Sequence, residues 1–200
     1  MLYVVTGGSG SGKSEYAEKL AVSVYQKGQG ALYYIATMVP FDEECKERIS
    51  RHRMLRKGKG FQTLECFVHL EQVCVGKNDV VLLECMSNLL ANEMYQKDGS
   101  IKKRGQEAEK QLMVSVLEPL LLLEQQAGCL IVVTNEVFSD GMQYEEETKE
   151  YVRLLGKANT FLAAHAEAVV EVVCSIPVYL KRSYYSQLVS ENNQTRRACT

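Results

Sequence analysis

The sequence predicts an α/β fold, in which helices cover both faces of a largely parallel sheet. The first reason is that short, almost uninterrupted apolar segments alternate along the chain with segments of helical periodicity. Strands that are buried on both faces have this composition, because the connecting helices of a parallel sheet cover it on each side. The second reason is a glycine-rich loop that joins the first apolar segment to the first helical one. That order of strand, loop and helix is typical of open α/β sheets that bind phosphate groups.

The individual elements follow in chain order. The apolar segments predict strands over residues 2–5, 31–36, 61–65, 79–84, 129–134 and 168–174, with 177–180 extending the sheet edge. The segments between them predict helices over residues 15–26, 42–57, 67–75, 87–95, 107–126 and 145–166. Pro119 lies inside the helix 107–126, which it should kink or split because proline has no backbone N–H.

Length and composition indicate one globular domain. The chain has 200 residues, and we expect a domain over residues 1–181 followed by a polar tail over 182–200. A net charge of −2 does not favour nucleic acid or an anionic membrane as a partner. No apolar segment approaches the roughly 20 residues of a membrane span, and because the first predicted strand begins at residue 2 we expect no signal peptide. Seven scattered cysteines without a C-x-x-C pair indicate reduced thiols, so we expect a cytoplasmic protein.

The glycine-rich loop matches the phosphate-binding pattern G-x-x-x-x-G-K-[ST]. Its residues are Gly7, Gly8, Ser9, Gly10, Ser11, Gly12, Lys13 and Ser14. Glycines allow successive N–H groups to point into one concavity, and the helix that follows directs its positive dipole end there. Lys13 can reach the β- and γ-phosphates, while the Ser14 hydroxyl can bind Mg²⁺. The loop therefore predicts nucleoside triphosphate binding; the alternative is a turn in which Ser14 merely caps a helix.

Short segments that contain polar residues lie at the carboxyl ends of several predicted strands. They are Ala36-Thr37-Met38, Glu84 and Asn135-Glu136. Ligands of open parallel sheets bind at the carboxyl ends of the strands, so these residues should face one crevice with the loop. Glu84 occupies the place where related loop proteins keep an acid for Mg²⁺, although it could instead cap the helix that begins near Ser87.

His52 lies in a segment that is acidic at its front and rich in arginine at its rear. A histidine in such a segment is commonly a solvated surface residue. A neutral imidazole can also act as a nucleophile toward phosphorus and form a phosphoramidate. In that case Arg51, Arg53 and Arg56 could hold a triphosphate and stabilise the departing pyrophosphate. The charge pattern leaves both interpretations open.

Several blocks together resemble one family. They are the loop, Tyr34-Ile35-Ala36-Thr37, Arg48-Ile49-Ser50-Arg51-His52-Arg53-Met54-Leu55-Arg56, Thr63-Leu64-Glu65, Leu82-Leu83-Glu84-Cys85 and Thr134-Asn135-Glu136-Val137. In this order the sequence resembles the bifunctional adenosylcobinamide kinase/adenosylcobinamide-phosphate guanylyltransferase family of cobalamin biosynthesis. The loop alone is generic, whereas the I-A-T block paired with R-I-x-x-H-R-x-x-R is far more specific. The likeness extends to about Lys181.

The resemblance implies a two-step activity. The protein would phosphorylate adenosylcobinamide with ATP or GTP, then transfer GMP from GTP through a guanylylated His52 to give adenosylcobinamide-GDP. Beyond the loop, the matched nucleotide-binding positions are Ala36, Thr37, Met38, Arg53, Met54, Leu55, Arg56, Glu65 and Glu84. Glu84 could serve Mg²⁺ beside Ser14, or it could accept the N1 and N2 hydrogens of guanine, as Glu65 could. Family members form homotrimers, so a homo-oligomer is expected.

The sequence departs from the family pattern in two places. Phe138, Ser139, Asp140, Gly141, Met142, Gln143 and Tyr144 follow the T-N-E-V block in place of a G-x-V-P segment, and Lys57 stands where a proline is usual. The histidine block is intact, so guanylyl transfer is the better supported activity. The alternatives are an NTP-binding switch or assembly protein without a covalent intermediate, and a kinase of another small alcohol.

Overall fold

A computed structural model describes residues 1–95, 102–138 and 144–182. Within them one sheet has the strand order β3-β2-β4-β5-β1-β6-β7. The strands are β1 (Leu2–Thr6), β2 (Leu32–Ala36), β3 (Gln62–Glu65), β4 (Val80–Glu84), β5 (Cys129–Val133), β6 (Ala168–Val173) and β7 (Ile176–Arg182). Neighbouring strands are parallel except β7, which runs antiparallel to β6. The predicted α/β class and the predicted strands are confirmed; the expected tail lies outside the described residues after Arg182.

The helices also follow the sequence pattern, with one correction. They are α1 (Lys13–Val24), α2 (Glu43–Arg56), α3 (Met86–Met94), α4 (Gly105–Leu112), α5 (Glu118–Gln126) and α6 (Glu146–His165). The helix predicted over 67–75 is wrong, since this segment contains only a 3₁₀ turn at Leu70–Gln72. Its backbone is held from outside: the N–H of His69 donates to Glu93, and the N–H of Val75 donates to Gln126. Because these two N–H groups donate to side chains, they cannot donate to the backbone carbonyls of an α-helix.

Pro119 interrupts the leucine-rich helix as the sequence predicts. A π-helical segment, Met113–Leu117, separates α4 from α5, and Pro119 occupies the first turn of α5. Proline removes one N–H donor, and its ring needs space against the preceding turn. The wider π turn at this point accommodates both constraints.

Both faces of the sheet are buried, each against different helices. One face packs against α3, α4, α5 and α6, and its largest buried side chains include Ile35, Leu83 and Leu130. The other face packs against α1 through Ala17 and Ala21. Helix α2 contributes no residue to either cluster among the described residues. The helix that carries His52 therefore lies outside the hydrophobic core.

The register of the sheet aligns the strand ends that form the crevice. Ala36, the last residue of β2, is paired with Glu65 of β3 on one side and with Glu84 of β4 on the other. Thr37, which follows, donates its hydroxyl to the carbonyl of Cys85 (2.9 Å) and accepts the N–H of Cys85 (2.6 Å). This pair of hydrogen bonds fixes the backbone just beyond Glu84.

We predict that Thr37→Val lowers the free energy of unfolding by about 2–4 kcal/mol. Thr37 is fully buried, so the isosteric valine leaves both backbone groups of Cys85 without this partner. Urea denaturation of wild type and variant measures the difference. The matched control is Thr63→Val on the exposed strand β3, which should change stability by less than about 0.5 kcal/mol. Equal stability of Thr37→Val and wild type would contradict the assigned role.

Candidate functional site

The glycine-rich loop has the backbone conformation that its sequence requires. Gly10 and Gly12 have φ values of 70° and 91°, in the left-handed region that favours glycine. A Cβ on Gly12 would also lie 2.7 Å from the Ser175 hydroxyl oxygen in the β6–β7 turn. Gly12 precedes the first residue of α1, so Ser14 is inside the helix and does not cap it. The capping interpretation of Ser14 is therefore wrong.

The two residues at the end of the loop turn their side chains inward. Lys13 Nζ donates to the carbonyl of Gly8 at 2.9 Å, and burial lowers the pKa of Lys13. The Ser14 hydroxyl donates to Glu84 Oε1. The phosphate-binding loop and the acid at the end of β4 are thus in direct contact.

Glu84 lies at the centre of this crevice. Its side chain is 10% exposed, and Oε2 is buried without a hydrogen-bond partner among the described residues. Burial raises its pKa, while the Ser14 hydroxyl and then the charges of Arg56 and Lys13 act in the opposite direction. An unpaired buried carboxylate oxygen is costly, so this atom is suited to a ligand that brings a cation or an N–H donor.

His52 faces Glu84 from α2. Its Nδ1 is 3.8 Å from Glu84 Oε1, and the same nitrogen is buried with no hydrogen-bond partner among the described residues. The pKa of His52 is lowered, first by burial and then by the charge of Arg56, while Glu18 acts in the opposite direction. The ring is therefore neutral near pH 7, which is its nucleophilic form. Of the two interpretations of His52, the solvated surface residue is the one that the structure does not support.

Arg56 is the one residue of α2 that the protein buries. Its guanidinium carbon lies 3.4 Å from the centre of the Tyr34 ring, a cation–π arrangement. Its Nε and one terminal nitrogen are buried with no acceptor among the described residues. These free N–H donors beside the crevice can receive an anion, such as a phosphate group. Tyr34 was missed as a site residue because an aromatic residue in a buried strand usually serves only packing.

The other α2 and β3 residues that match the family's nucleotide-binding positions are exposed to solvent. Arg53 and Glu65 form an ion pair at 2.9 Å that is more than half exposed on both sides. Met54 and Leu55 are 70% and 48% exposed. A cavity of about 720 Å³ lies at this end of α2; its lining includes Arg53, Met54, Arg56, Phe61 and Thr63. This arrangement provides room for a planar group next to cationic side chains.

The structure brings most of the predicted crevice together. Ala36 is in register with Glu84, and the Thr37 hydroxyl donates a hydrogen bond to the carbonyl of Cys85, the residue after Glu84. Asn135 Nδ2 donates to the Ser87 hydroxyl at 2.6 Å, so the ends of β4 and β5 also meet. Residues 139–143, where the sequence departs from the family pattern, lie outside the described residues.

Ser14 and Glu84 are the residues that could hold Mg²⁺. No group of three or more His, Cys, Asp or Glu side chains suited to a metal is found in the described part of the chain. Mg²⁺ bound with a nucleotide needs few protein ligands, because phosphate oxygens and waters fill most positions. A serine hydroxyl that touches a carboxylate with one unpaired oxygen fits this requirement.

These features define a P-loop protein of the α/β class with a partly buried histidine at its candidate phosphate site. The chain belongs to the cobinamide kinase / cobinamide phosphate guanyltransferase family, whose model matches residues 3–180. The family resemblance read from the sequence is confirmed, and the protein is a transferase. Membership in an enzyme family disfavours the interpretation as a switch without catalysis.

Two curated relatives agree with this assignment. The bifunctional adenosylcobalamin biosynthesis protein CobU of Escherichia coli is 32% identical over 187 residues, which cover 90% of this chain and all of the relative. The protein CobP of Pseudomonas aeruginosa is 28% identical over 181 residues, covering 89% of this chain and 96% of the relative.

Comparison with solved structures gives a more distant likeness. The flagellar accessory protein FlaH of Methanocaldococcus jannaschii is 13% identical, with a TM-score of 0.44, and covers 91% of this chain and 78% of that one. The identity and the TM-score are both too low to assign a function from structural likeness. In the described ranges, no helix has the length and apolar character needed to cross a membrane.

We predict that the His52 ring titrates below pH 6.5 in the folded protein, because burial and Arg56 both disfavour its charged form. NMR titration of the ring protons checks this, and loss of one signal in His52→Ala assigns the resonance. In denaturant the His52 ring should titrate near the ordinary histidine pKa of about 6.5. A group with a lower pKa in the folded state binds protons preferentially when unfolded, so its contribution to stability falls as pH decreases through this range. A folded pKa at or above 6.5 would contradict the prediction.

Proposed function

We propose that this transferase carries out two reactions in one crevice. It phosphorylates adenosylcobinamide with ATP or GTP, and it transfers GMP from GTP through a guanylylated His52 to adenosylcobinamide phosphate, giving adenosylcobinamide-GDP. The main support is that one carboxylate, Glu84, contacts the phosphate loop through Ser14 and faces a neutral imidazole through His52. The proposed nucleophile and the phosphate-binding residues therefore surround a single point.

The guanylylation step uses the orientation of the imidazole. Nδ1 of His52 faces Glu84, so we assign the proton to Nδ1 and the attacking lone pair to Nε2. Nε2 attacks the α-phosphorus of GTP: an N–P bond forms, and the P–O bond to the β-phosphate breaks. The electron pair of that bond leaves with pyrophosphate, whose charge Lys13 and Arg56 stabilise. In the second half, a phosphate oxygen of adenosylcobinamide phosphate attacks the same phosphorus, the N–P bond breaks, and neutral His52 is restored.

The kinase step uses the loop itself. Backbone N–H groups of the loop and Lys13 would bind the β- and γ-phosphates while the hydroxyl oxygen of adenosylcobinamide attacks the γ-phosphorus. The bond from the γ-phosphorus to the bridging oxygen breaks, ADP or GDP leaves with its electron pair, and the hydroxyl proton passes to water. Mg²⁺, held by Ser14 and Glu84 together with phosphate oxygens, would supply charge neutralisation at the phosphates. Catalysis here is mainly positioning and electrostatic stabilisation, which the partly buried ammonium group of Lys13 can provide.

We place recognition of guanine at the C-terminal end of α2. Glu65 is half exposed and pairs with Arg53, which lines the cavity, so its carboxylate can accept the N1 and N2 hydrogens of guanine once this contact opens. Glu84 is already engaged by Ser14. We therefore assign base recognition to Glu65 and the phosphate or Mg²⁺ side of the nucleotide to Glu84. Ala36, Thr37, Met38, Met54 and Leu55 complete the proposed nucleotide site.

We predict that GTP labelled at the α-phosphate leaves an acid-labile label on the protein, and that His52→Ala abolishes it. A phosphoramidate accounts for the acid lability. GTP labelled at the γ-phosphate should leave no label, because that phosphate departs in pyrophosphate. Measurement is by autoradiography and mass spectrometry after incubation with Mg²⁺.

The matched control is His69→Ala, which removes an exposed histidine whose ring contacts Glu71. It should be labelled like wild type. A labelled His52→Ala protein, or an unlabelled wild type over a range of Mg²⁺ concentrations, would refute the covalent mechanism. ATP consumption with another alcohol but not with cobinamide would favour the small-alcohol kinase.

A second prediction separates the two reactions. Lys13→Met should lower both activities by at least about 100-fold, because both need charge stabilisation at the phosphates. His52→Ala should lose guanylyl transfer but keep cobinamide kinase activity within about threefold, since γ-phosphoryl transfer does not use the imidazole. Kinase turnover is measured with cobinamide and ATP, and guanylyl transfer with cobinamide phosphate and GTP. Loss of kinase activity in His52→Ala would show that the two reactions share this side chain.

A further inference from the structure

Helix α2 carries His52, yet few interactions attach it to the rest of the protein. Arg56 is its one buried residue among those described. Its acidic residues near the front, Glu43 and Glu44, form exposed ion pairs within the helix itself. The Arg53–Glu65 pair reaches the sheet but is largely solvated, and such pairs contribute little. The position of His52 against Glu84 therefore depends on contacts at the rear of the helix.

Lys59 makes such a contact immediately behind the helix. Its Nζ lies 2.6 Å from Glu18 Oε2 on α1. The N–H of Lys59 donates to the carbonyl of Arg56 at 3.1 Å, so the turn that carries Lys59 is folded back onto the last residue of α2. The ion pair thereby joins the end of α2 to the phosphate-binding helix.

Glu18 is unusual for a charged residue on a helix of this sheet. Its side chain is 1% exposed, and Oε1 is buried without a hydrogen-bond partner among the described residues. A buried charge is strongly unfavourable when its partner is removed. Glu18 also follows Ser14 by four residues, so both lie on the same face of α1. That face presents Ser14 to Glu84 and Glu18 to Lys59.

We propose that Glu18 and Lys59 are positioning residues for guanylyl transfer. Their ion pair holds the end of α2 against α1, and so keeps the His52 ring next to Glu84 and the phosphate loop. Neither residue belongs to the groups assigned to γ-phosphoryl transfer. The inference rests on the proposed guanylylation of His52 and adds the device that sets its geometry. Sequence reasoning missed the pair because Lys59 lies in a glycine-flanked turn and charged residues on helices are usually solvated.

The test is single-turnover labelling of the full-length protein by α-labelled GTP. Lys59→Met should lower the saturating labelling rate by about 10- to 100-fold, as expected for a displaced nucleophile. The kinase turnover with ATP should stay within about twofold, because the loop is unchanged. Glu18→Gln should act in the same direction. Lys59→Arg keeps the charge and the hydrogen bond, so it should retain most of the rate.

The matched control is Lys46→Met, which removes an exposed lysine of α2 whose partner is in the same helix. It should label like wild type. Unchanged labelling in Lys59→Met would overturn the positioning role. So would an equal loss of labelling and kinase turnover, since that pattern indicates general destabilisation. An unlabelled wild type would instead refute the covalent mechanism on which the inference rests.

Discussion

The site depends on one buried carboxylate. Glu84 ends β4, at the point where the strand leaves the sheet, and it accepts the hydroxyl of Ser14 while His52 faces it at 3.8 Å. Three parts of the chain that are far apart in sequence meet at this group. The parallel register makes this possible, because it brings the ends of β2 and β4 to the same level and places the phosphate loop beside them.

Several polar atoms around Glu84 are buried without hydrogen-bond partners among the described residues, an arrangement that suits a polyphosphate ligand. Buried polar atoms without partners in the described residues occur on His52, Arg56 and Glu84 itself. Native proteins pair nearly all such atoms, and the exceptions concentrate where a ligand completes the bonding. A nucleotide would bring acceptors to the arginine and a bound cation to the carboxylate. The free energy that these unpaired atoms cost the folded protein would then be recovered as binding free energy.

Rigidity and catalytic function are divided between different elements. The strands and α1 are anchored in the core, and they position the phosphate loop, Thr37 and Glu84. Helix α2 is mostly polar, with Arg56 as its one buried residue, and it presents the proposed nucleophile from outside the core. Specific polar contacts hold such a helix in place, among them Arg56 over Tyr34 and Lys59 with Glu18. The proposed covalent chemistry thus relies on charge pairing more than on apolar packing.

The sequence by itself determined the α/β class, the phosphate loop and the residues at the strand ends. These features come from local patterns. Apolar segments predict buried strands, Gly12 and Lys13 belong to one loop motif, and Glu84 is the last residue of a predicted strand. It also singled out His52, although composition alone left a solvated residue possible. Only the tertiary structure decided that His52 lies partly buried beside Glu84, that Arg56 stacks on Tyr34, and that Glu18 is buried against Lys59. The physical reason is that the burial of a charged group depends on the partner that compensates it, and these partners come from distant segments.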